Sequence, residues 1–304
     1  MCSPLAKSFF IAALGALAFP SISPAITIRD DTADSSYITL GADPAYQAGG
    51  FFNSGFGGTL IADPLGLNQY VITATHLITD GQIVPGSTEF TIGGNSYAVA
   101  GYISAPGYDS STQNNDLTIV RLASSVTGIT AVPYYTGSAE LGKTITFIGY
   151  GLIGNGVTGA INAPDGQRRG ANNVVDVLNA SLVSGGSLAA TSFLTDFDDP
   201  SGTSNTLGGV SSSSSTALPF EGSFALGDSG GGAFANIGGT VYLVGVNSYV
   251  TSSQGDGIAK YGEIDGFTRV SAFSGFIAQN VPEPGSAALL VGGMAMLGGL
   301  RRRR

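Results

Sequence analysis

The sequence predicts an all-β fold with two packed cores, and three observations point that way. The 304-residue chain breaks into short apolar or alternating runs separated by clusters of Gly, Asn, Asp, Pro and Ser, the pattern of a β-barrel or sandwich. Helical periodicity is scarce. Between an apolar N-terminal run and an apolar C-terminal run lie about 256 residues, enough to bury two β cores without covalent staples.

Taken in order, residues 1–25 read as a secretory signal. Lys7 is followed by an apolar run over residues 9–19 and a tail ending Ser23-Pro24-Ala25, small residues of the kind signal peptidase requires. Ala16-Leu17-Ala18 offers a competing cleavage site. The only cysteine, Cys2, leaves with this segment, so the rest of the chain has no disulfide, thiolate metal site or cysteine nucleophile. Residues 26–281 hold 7 Lys/Arg against 20 Asp/Glu, a net charge of −13. That excess of acid disfavours nucleic acid and anionic membrane surfaces as partners.

Strand-like runs cover residues 88–92, 97–103, 144–148, 174–178, 189–194 and 240–246. One helix is expected, over residues 271–279, where Val270, Phe273, Phe276 and Ile277 recur at helical spacing as a core-packing stripe. Residues 196–220, rich in Asp, Ser and Gly, read as a solvated surface loop. Asp196, Asp198 and Asp199 carry oxygens of the kind calcium takes, but their run does not match an EF-hand loop. No metal or cofactor is expected.

Gly227-Asp228-Ser229-Gly230-Gly231 supplies the chemistry. A serine that attacks a carbonyl needs a tight, exposed turn and amide donors aimed at the developing oxyanion. Glycines on both sides permit that turn and let the Gly227 and Ser229 amides converge. The serine also needs a general base, and the chain has one histidine, His76, where an apolar run ends in Thr73-Ala74-Thr75. A carboxylate must then orient the imidazole, and Asp116 opens the alternating run Leu117-Thr118-Ile119-Val120. The order is His, Asp, Ser, with Asp116 40 residues after His76 and Ser229 113 after Asp116.

At these residues the chain resembles the chymotrypsin/trypsin family of serine proteases. Thr73-Ala74-Thr75-His76 is similar to that family's Thr-Ala-Ala-His, Asn115-Asp116-Leu117-Thr118-Ile119-Val120 to its aspartate segment, and Gly227 through Gly231 matches its nucleophile motif. Gly57-Gly58-Thr59-Leu60-Ile61, Ile148-Gly149-Tyr150-Gly151 and Val244-Gly245-Val246-Asn247-Ser248-Tyr249 follow the same order. The resemblance covers about residues 26–280 and implies two packed six-stranded antiparallel barrels, over about 26–135 and 136–280, with a short C-terminal helix. It implies a secreted endopeptidase acting on protein or peptide through His76, Asp116 and Ser229, with the amides of Gly227 and Ser229 as oxyanion hole. Ser248 would support Asp116, and Ser248, Tyr249 and Val250 would pair with the substrate backbone.

The resemblance also implies an activating pair. A free N-terminal Ile26 would set its ammonium against Asp228, so that signal peptidase alone creates the active terminus; the family's Ile-Val-Gly-Gly is here Ile26-Thr27-Ile28-Arg29. Ser223 stands where the family floors its primary pocket and trypsin keeps an aspartate, and Val250 stands where trypsin has a pocket-lining glycine. A neutral, narrowed pocket is expected, arguing against Arg/Lys preference. Gly232 replaces the family's usual proline.

Val281-Pro282-Glu283-Pro284, an apolar stretch over 285–300 and Arg301 to Arg304 resemble a PEP-CTERM sorting tail of Gram-negative bacteria. Its 16-residue stretch would cover about 24 Å as a helix, with arginines holding the end in the cytoplasm. The tail, 281–304, would pass transiently through the inner membrane to an exosortase-type enzyme, leaving the domain at the cell surface or in the matrix. Two other classes compete: a catalytically inert member of the fold serving as a surface or matrix component, and an unrelated polysaccharide-binding β protein.

Overall fold

The computed structural model describes residues 26–162, 165–178, 191–211, 213–251 and 259–282. The expected signal (1–25) and all of the sorting tail from residue 283 lie outside the described residues. The described chain opens on a two-residue strand, β1 (Thr27–Ile28), and a helix, α1 (Asp34–Gly41).

The first half closes into a barrel. Its strands are β2 (Gly49–Phe52), β3 (Gly57–Leu60), β4 (Tyr70–Thr73), β5 (Glu89–Ile92), β6 (Asn95–Ser104) and β7 (Thr118–Leu122), with one helical turn, α2 (His76–Thr79), after β4. They close in the order β2-β3-β4-β7-β6-β5, every ladder antiparallel. Alternation sets the faces: in β6, Tyr97 and Val99 are buried while their neighbours are exposed. Phe52 and Phe90 are fully buried with centroids 5.0 Å apart. Each such ring contributes about 1.5–3 kcal/mol by leaving water.

The second half is a half-barrel, in keeping with the expected two-barrel fold, with its strands divided between two sheets. Its further strands are β8 (Thr144–Gly149), β9 (Ile153–Asn155), β10 (Gly159–Asn162), β11 (Arg169–Val174), β12 (Val177–Leu178), β13 (Ser192–Asp196), β14 (Gly222–Ser223), β15 (Gly232–Ile237), β16 (Thr240–Thr251) and β17 (Ile264–Arg269). Seven form a sheet in the order β11-β8-β15-β16-β17-β13-β12; a second sheet runs β10-β9-β1-β14. The large sheet is joined across its gap by a side chain rather than a ladder. Asn173 of β11 donates to the Asp196 carbonyl of β13 at 2.8 Å and to that of Gly222 at 3.3 Å. Inside it, Phe147, Phe193 and Phe267 are fully buried, the last two stacked at 4.8 Å.

Four expectations about elements need correction. The run 174–178 is not one strand: β11 ends at Val174, and Val175 and Asp176 separate it from β12. β11 itself escaped notice because Arg169-Gly170-Ala171-Asn172-Asn173 reads as polar. Arg169 is nevertheless 1% exposed, because Asp34 (2.6 and 2.7 Å) and Asp165 (2.8 and 3.0 Å) satisfy its guanidinium. Of the run 189–194, residues 189 and 190 lie outside the described residues, and β13 spans Ser192–Asp196. The loop after it is not a purely solvated one: Phe197 is fully buried and Asp198 buried, with the Asp198 amide donating to Glu221 Oε1 at 2.7 Å, and a helical turn, α3, spans Gly208–Ser211. α1 was missed because DSSYITLG buries only Tyr37 and Gly41 and lacks an apolar stripe.

The C-terminal element is a 3₁₀ turn, Val270–Phe273, running into α4 (Ser274–Asn280), with Val270, Phe273 and Ile277 buried. Glu140 clamps it to the sheet. Fully buried, this carboxylate accepts Arg269 Nε and Nη2 at 2.9 Å each and the Ser271 hydroxyl. Glu140→Ala leaves Arg269 without that partner and should cost about 3 kcal/mol, the lower end for breaking a buried ion pair. Urea denaturation checks this.

Candidate active site

The site lies where the two halves meet. β4 runs into Thr75 and the turn α2, so His76 occupies a helix start whose backbone amide is unsatisfied within the helix. Asp116, fully buried just before β7, satisfies it: Oδ1 accepts the His76 amide at 2.8 Å while Oδ2 meets His76 Nδ1 at 2.7 Å. The carboxylate thereby fixes both ring and backbone of the histidine. A third donor reaches the same carboxylate from the other half, Ser248 Oγ to Oδ2 at 2.6 Å.

Local backbone geometry explains that reach. The β16–β17 register slips between Asn247, opposite Phe267, and Tyr249, opposite Gly266, leaving Ser248 as the extra residue of a bulge. A bulge redirects a side chain, here toward Asp116.

The nucleophile turn is tied to both halves. Gly57 at the start of β3 donates its amide to the Ser229 carbonyl at 2.8 Å, and Gly230 donates to the Asn247 carbonyl at 2.9 Å. Asn247 Nδ2 in turn donates to the Asp228 carbonyl at 3.0 Å. Gly230 has φ +79°, and a Cβ there would fall 2.2 Å from Thr73 Oγ1 and 2.9 Å from Leu77 Cδ1, so only glycine lets the turn press against the histidine's own segment. Within the turn, the amides of Asp228, Gly230 and Gly231 are all hydrogen-bonded. Those of Gly227 (φ +96°) and Ser229 donate to no protein acceptor among the described residues. Nor does a hydrogen bond join Ser229 Oγ to His76 Nε2 there; such contacts commonly tighten only when substrate is bound.

Asp228 points away from the turn into the second half. It is 1% exposed and accepts amides from Tyr150 (3.0 Å), Gly151 (2.6 Å) and Ala225 (2.9 Å). Burial pushes its carboxyl up to about 7 despite those bonds. Ile26 is fully buried beside it: a Cβ on Gly149 would lie 2.1 Å from Asp228 Oδ1 and 2.9 Å from Ile26 Cγ1.

The expected pocket floor, Ser223, is fully buried on β14, and its hydroxyl donates to Asp265 Oδ1 at 2.6 Å. The sequence reading overlooked Asp265. An acid inside the apolar strand Ile264-Asp265-Gly266-Phe267 was the available signal, and pairing of that strand with β16 sets it opposite Val250.

A second group of acids lies under the chain after β13. Asp176 and Asp196 meet carboxyl to carboxyl, and burial pushes both upward. Burial, then the charge of Asp196, takes Asp198 up to about 8, and burial takes Glu221 up to about 7. The Asp198 Oδ1 atom is buried without a hydrogen bond, while Asp199 is occupied by Ser201 (2.6 Å) and Ser204 (2.7 Å). Because these folded-state values exceed the unfolded ones, the stability they contribute is whole below about pH 4 and is lost as pH rises through 7 to 8. The urea midpoint should therefore be lower at pH 9 than at pH 5, and Asp198→Asn should flatten that slope.

A six-stranded antiparallel barrel packed on a curved antiparallel sheet, with a histidine, a buried aspartate and a glycine-flanked serine turn where they meet, defines a protein of the trypsin-like serine protease fold. The trypsin family model matches residues 41–195, just over half of the chain, and the chain belongs to the trypsin family. The matched stretch holds His76 and Asp116 and ends before Ser229. No curated protein matches the sequence.

Proposed function

We propose that the protein is an exported serine endopeptidase. Ser229 attacks a peptide carbonyl, His76 takes its proton and returns one to the leaving amine, and Asp116 holds the imidazole in the tautomer that has its proton on Nδ1. The amides of Gly227 and Ser229 stabilise the oxyanion, and water releases the acyl-enzyme. The observation that carries this reading is the pairing of one buried carboxylate, shared by His76 and Ser248, with a serine turn whose two uncommitted amides are those of Gly227 and Ser229. Gly227 is buried, and a buried amide without an acceptor is rare in a turn that is only structural.

Export through a signal ending at Ala25 and a tail read by an exosortase belong to the same reading, with the domain at the cell surface or in the matrix. So do Ser248, Tyr249 and Val250 as the strand that holds substrate. Labelling by a fluorophosphonate of the chain purified with Ile26 as its first residue tests the catalytic claim. An activated serine takes the label and Ser229→Ala does not; an unlabelled wild-type chain favours an inert surface component.

A further inference from the structure

We propose that a cavity in the second half, at the corner where β11 passes into β12, binds the side chain of a lysine presented by a protein partner. The site stands apart from the peptidase reading: none of the residues lining it belongs to the catalytic group, and its occupancy is measured without turnover.

The cavity has a volume of about 550 Å³ and opens to solvent. Leu141, Val174 and Val177 give it apolar walls, Asp176 a carboxyl group, and Ser211 and Ser213 hydroxyls. Leu141 is 56% exposed, an apolar wall left in water. Hydrogen bonds fix the backbone around it: Gly142 donates to the Val175 carbonyl at 2.8 Å, Val175 to that of Lys143 at 3.0 Å and Asp176 to that of Leu194 at 3.0 Å. The Ser211 and Ser213 hydroxyls donate to the Leu207 carbonyl (3.2 Å) and to Asn205 Oδ1 (2.8 Å), which leaves their oxygens as acceptors. A hollow with apolar sides and a few convergent polar groups is the form of a ligand site.

Charge selects the ligand. Asp176 meets Asp196 carboxyl to carboxyl, and Asp196 is 2% exposed. Glu221 acts on Asp176, and Asp198, which acts with the same acids, is 5% exposed with Oδ1 lacking a hydrogen bond. Glu140 and Asp34 each face an arginine, but among the described residues no Lys or Arg pairs with Asp176 or Asp196, neighbouring Lys143 included. Arg29, the cation that acts on Glu221, is taken by Asp31 at 2.7 Å. The group of acids is therefore short of positive charge, and burial, then the charge of Asp196, takes the Asp176 carboxyl up to about 8.

A metal ion needs several free oxygens. Here the Leu207 amide occupies Asp196 Oδ2, and the Asp198 and Leu218 amides occupy both oxygens of Glu221. No three acids among the described residues are placed to hold a metal. An ammonium needs only the Asp176 carboxylate and the serine oxygens; as it enters, the acid pair gives its proton to solvent. Asp176 shares its carboxyl with Asp196, so a guanidinium finds no free bidentate face, whereas the aliphatic stem of lysine suits the valine and leucine walls. The net charge of −13 over residues 26–281 draws basic partners, and an open hollow admits a side chain still carried by its chain.

NMR titration of the isotope-labelled chain that starts at Ile26 tests this, with Nα-acetyl-lysine methylamide as probe. Saturating shifts are expected at the amides of Gly142, Val175 and Val177, with binding that tightens as pH rises from about 6 to 8, since less of the acid pair must then be deprotonated. Asp176→Asn should weaken binding about tenfold, the low end for a hydrogen bond to a charged group, and Leu141→Ser, at an exposed wall, about threefold. The blocked norleucine analogue, which lacks the ammonium, should bind about tenfold more weakly than the lysine probe. Absence of shifts at those amides overturns the proposal, as does equal binding of the norleucine analogue or of either variant. n-Butylammonium separates a free amine from a peptide-borne one: weaker binding than the lysine probe supports the assignment, and equal or tighter binding overturns the protein partner. The lysine and norleucine comparison uses the unsubstituted chain alone, so it decides even where a variant fails to fold.

Discussion

Ser229→Ala should leave the fold in place and reduce peptide hydrolysis by roughly 10⁶-fold in kcat, the loss found when the nucleophile is removed from another serine protease. The hydroxyl makes no hydrogen bond within the protein among the described residues, so its removal strands no partner. What shapes the turn is its backbone, through Gly57 to the Ser229 carbonyl and Gly230 to Asn247, together with the Asp228 side chain. The substitution touches none of these, and its effect on unfolding free energy should stay within about 0.5 kcal/mol. The pair of results matters more than either alone. Lost turnover with an unchanged melting curve assigns Ser229 to chemistry; turnover that survives in the variant rules the serine out as nucleophile, and any hydrolysis then belongs to another group.

The features legible in the sequence were those written in local signals. Glycines around Ser229, the small residues before His76 and the alternation after Asp116 each announce a backbone shape, and a single histidine leaves no competing choice of base. Long-range compensation was not legible. Arg169 reads as a surface residue until Asp34, 135 residues away, is brought to its guanidinium. Asp265 reads as an oddity until Ser223, 42 residues upstream, is found donating to it. The sequence shows that Ser223 holds a family position but not that the side chain of Asp265, on another strand, leans against it. Ser248 falls between these cases: its resemblance is visible, but the bulge that turns its hydroxyl toward Asp116 depends on a one-residue register slip.

A chain beginning at Ile26 should be about 10²–10³-fold more active in kcat/KM than the same chain with Ala25 retained ahead of it, the factor expected when a buried carboxylate loses its ionic partner. Asp228 is held by three amides and by no described cation, and burial keeps its carboxyl near 7, so in the uncut chain it is poised between protonation states. Ile26 is fully buried, and a Cβ placed on Gly149 would lie 2.9 Å from its Cγ1 and 2.1 Å from Asp228 Oδ1, so the two side chains flank the same glycine. Cutting before it converts a neutral amide into an ammonium there. An ammonium beside that carboxylate lowers the Asp228 value and raises its own above the usual value of about 8 for a terminal amine. By sign, the activated form then persists below the raised amine value and fails as pH rises through it, giving an alkaline limb absent from the extended chain. Asp228→Asn should remove both the rate advantage and that limb. Equal kcat/KM for the two starting points would detach Ile26 from activation and leave Asp228 as a fastener of the Tyr150 and Gly151 backbone alone.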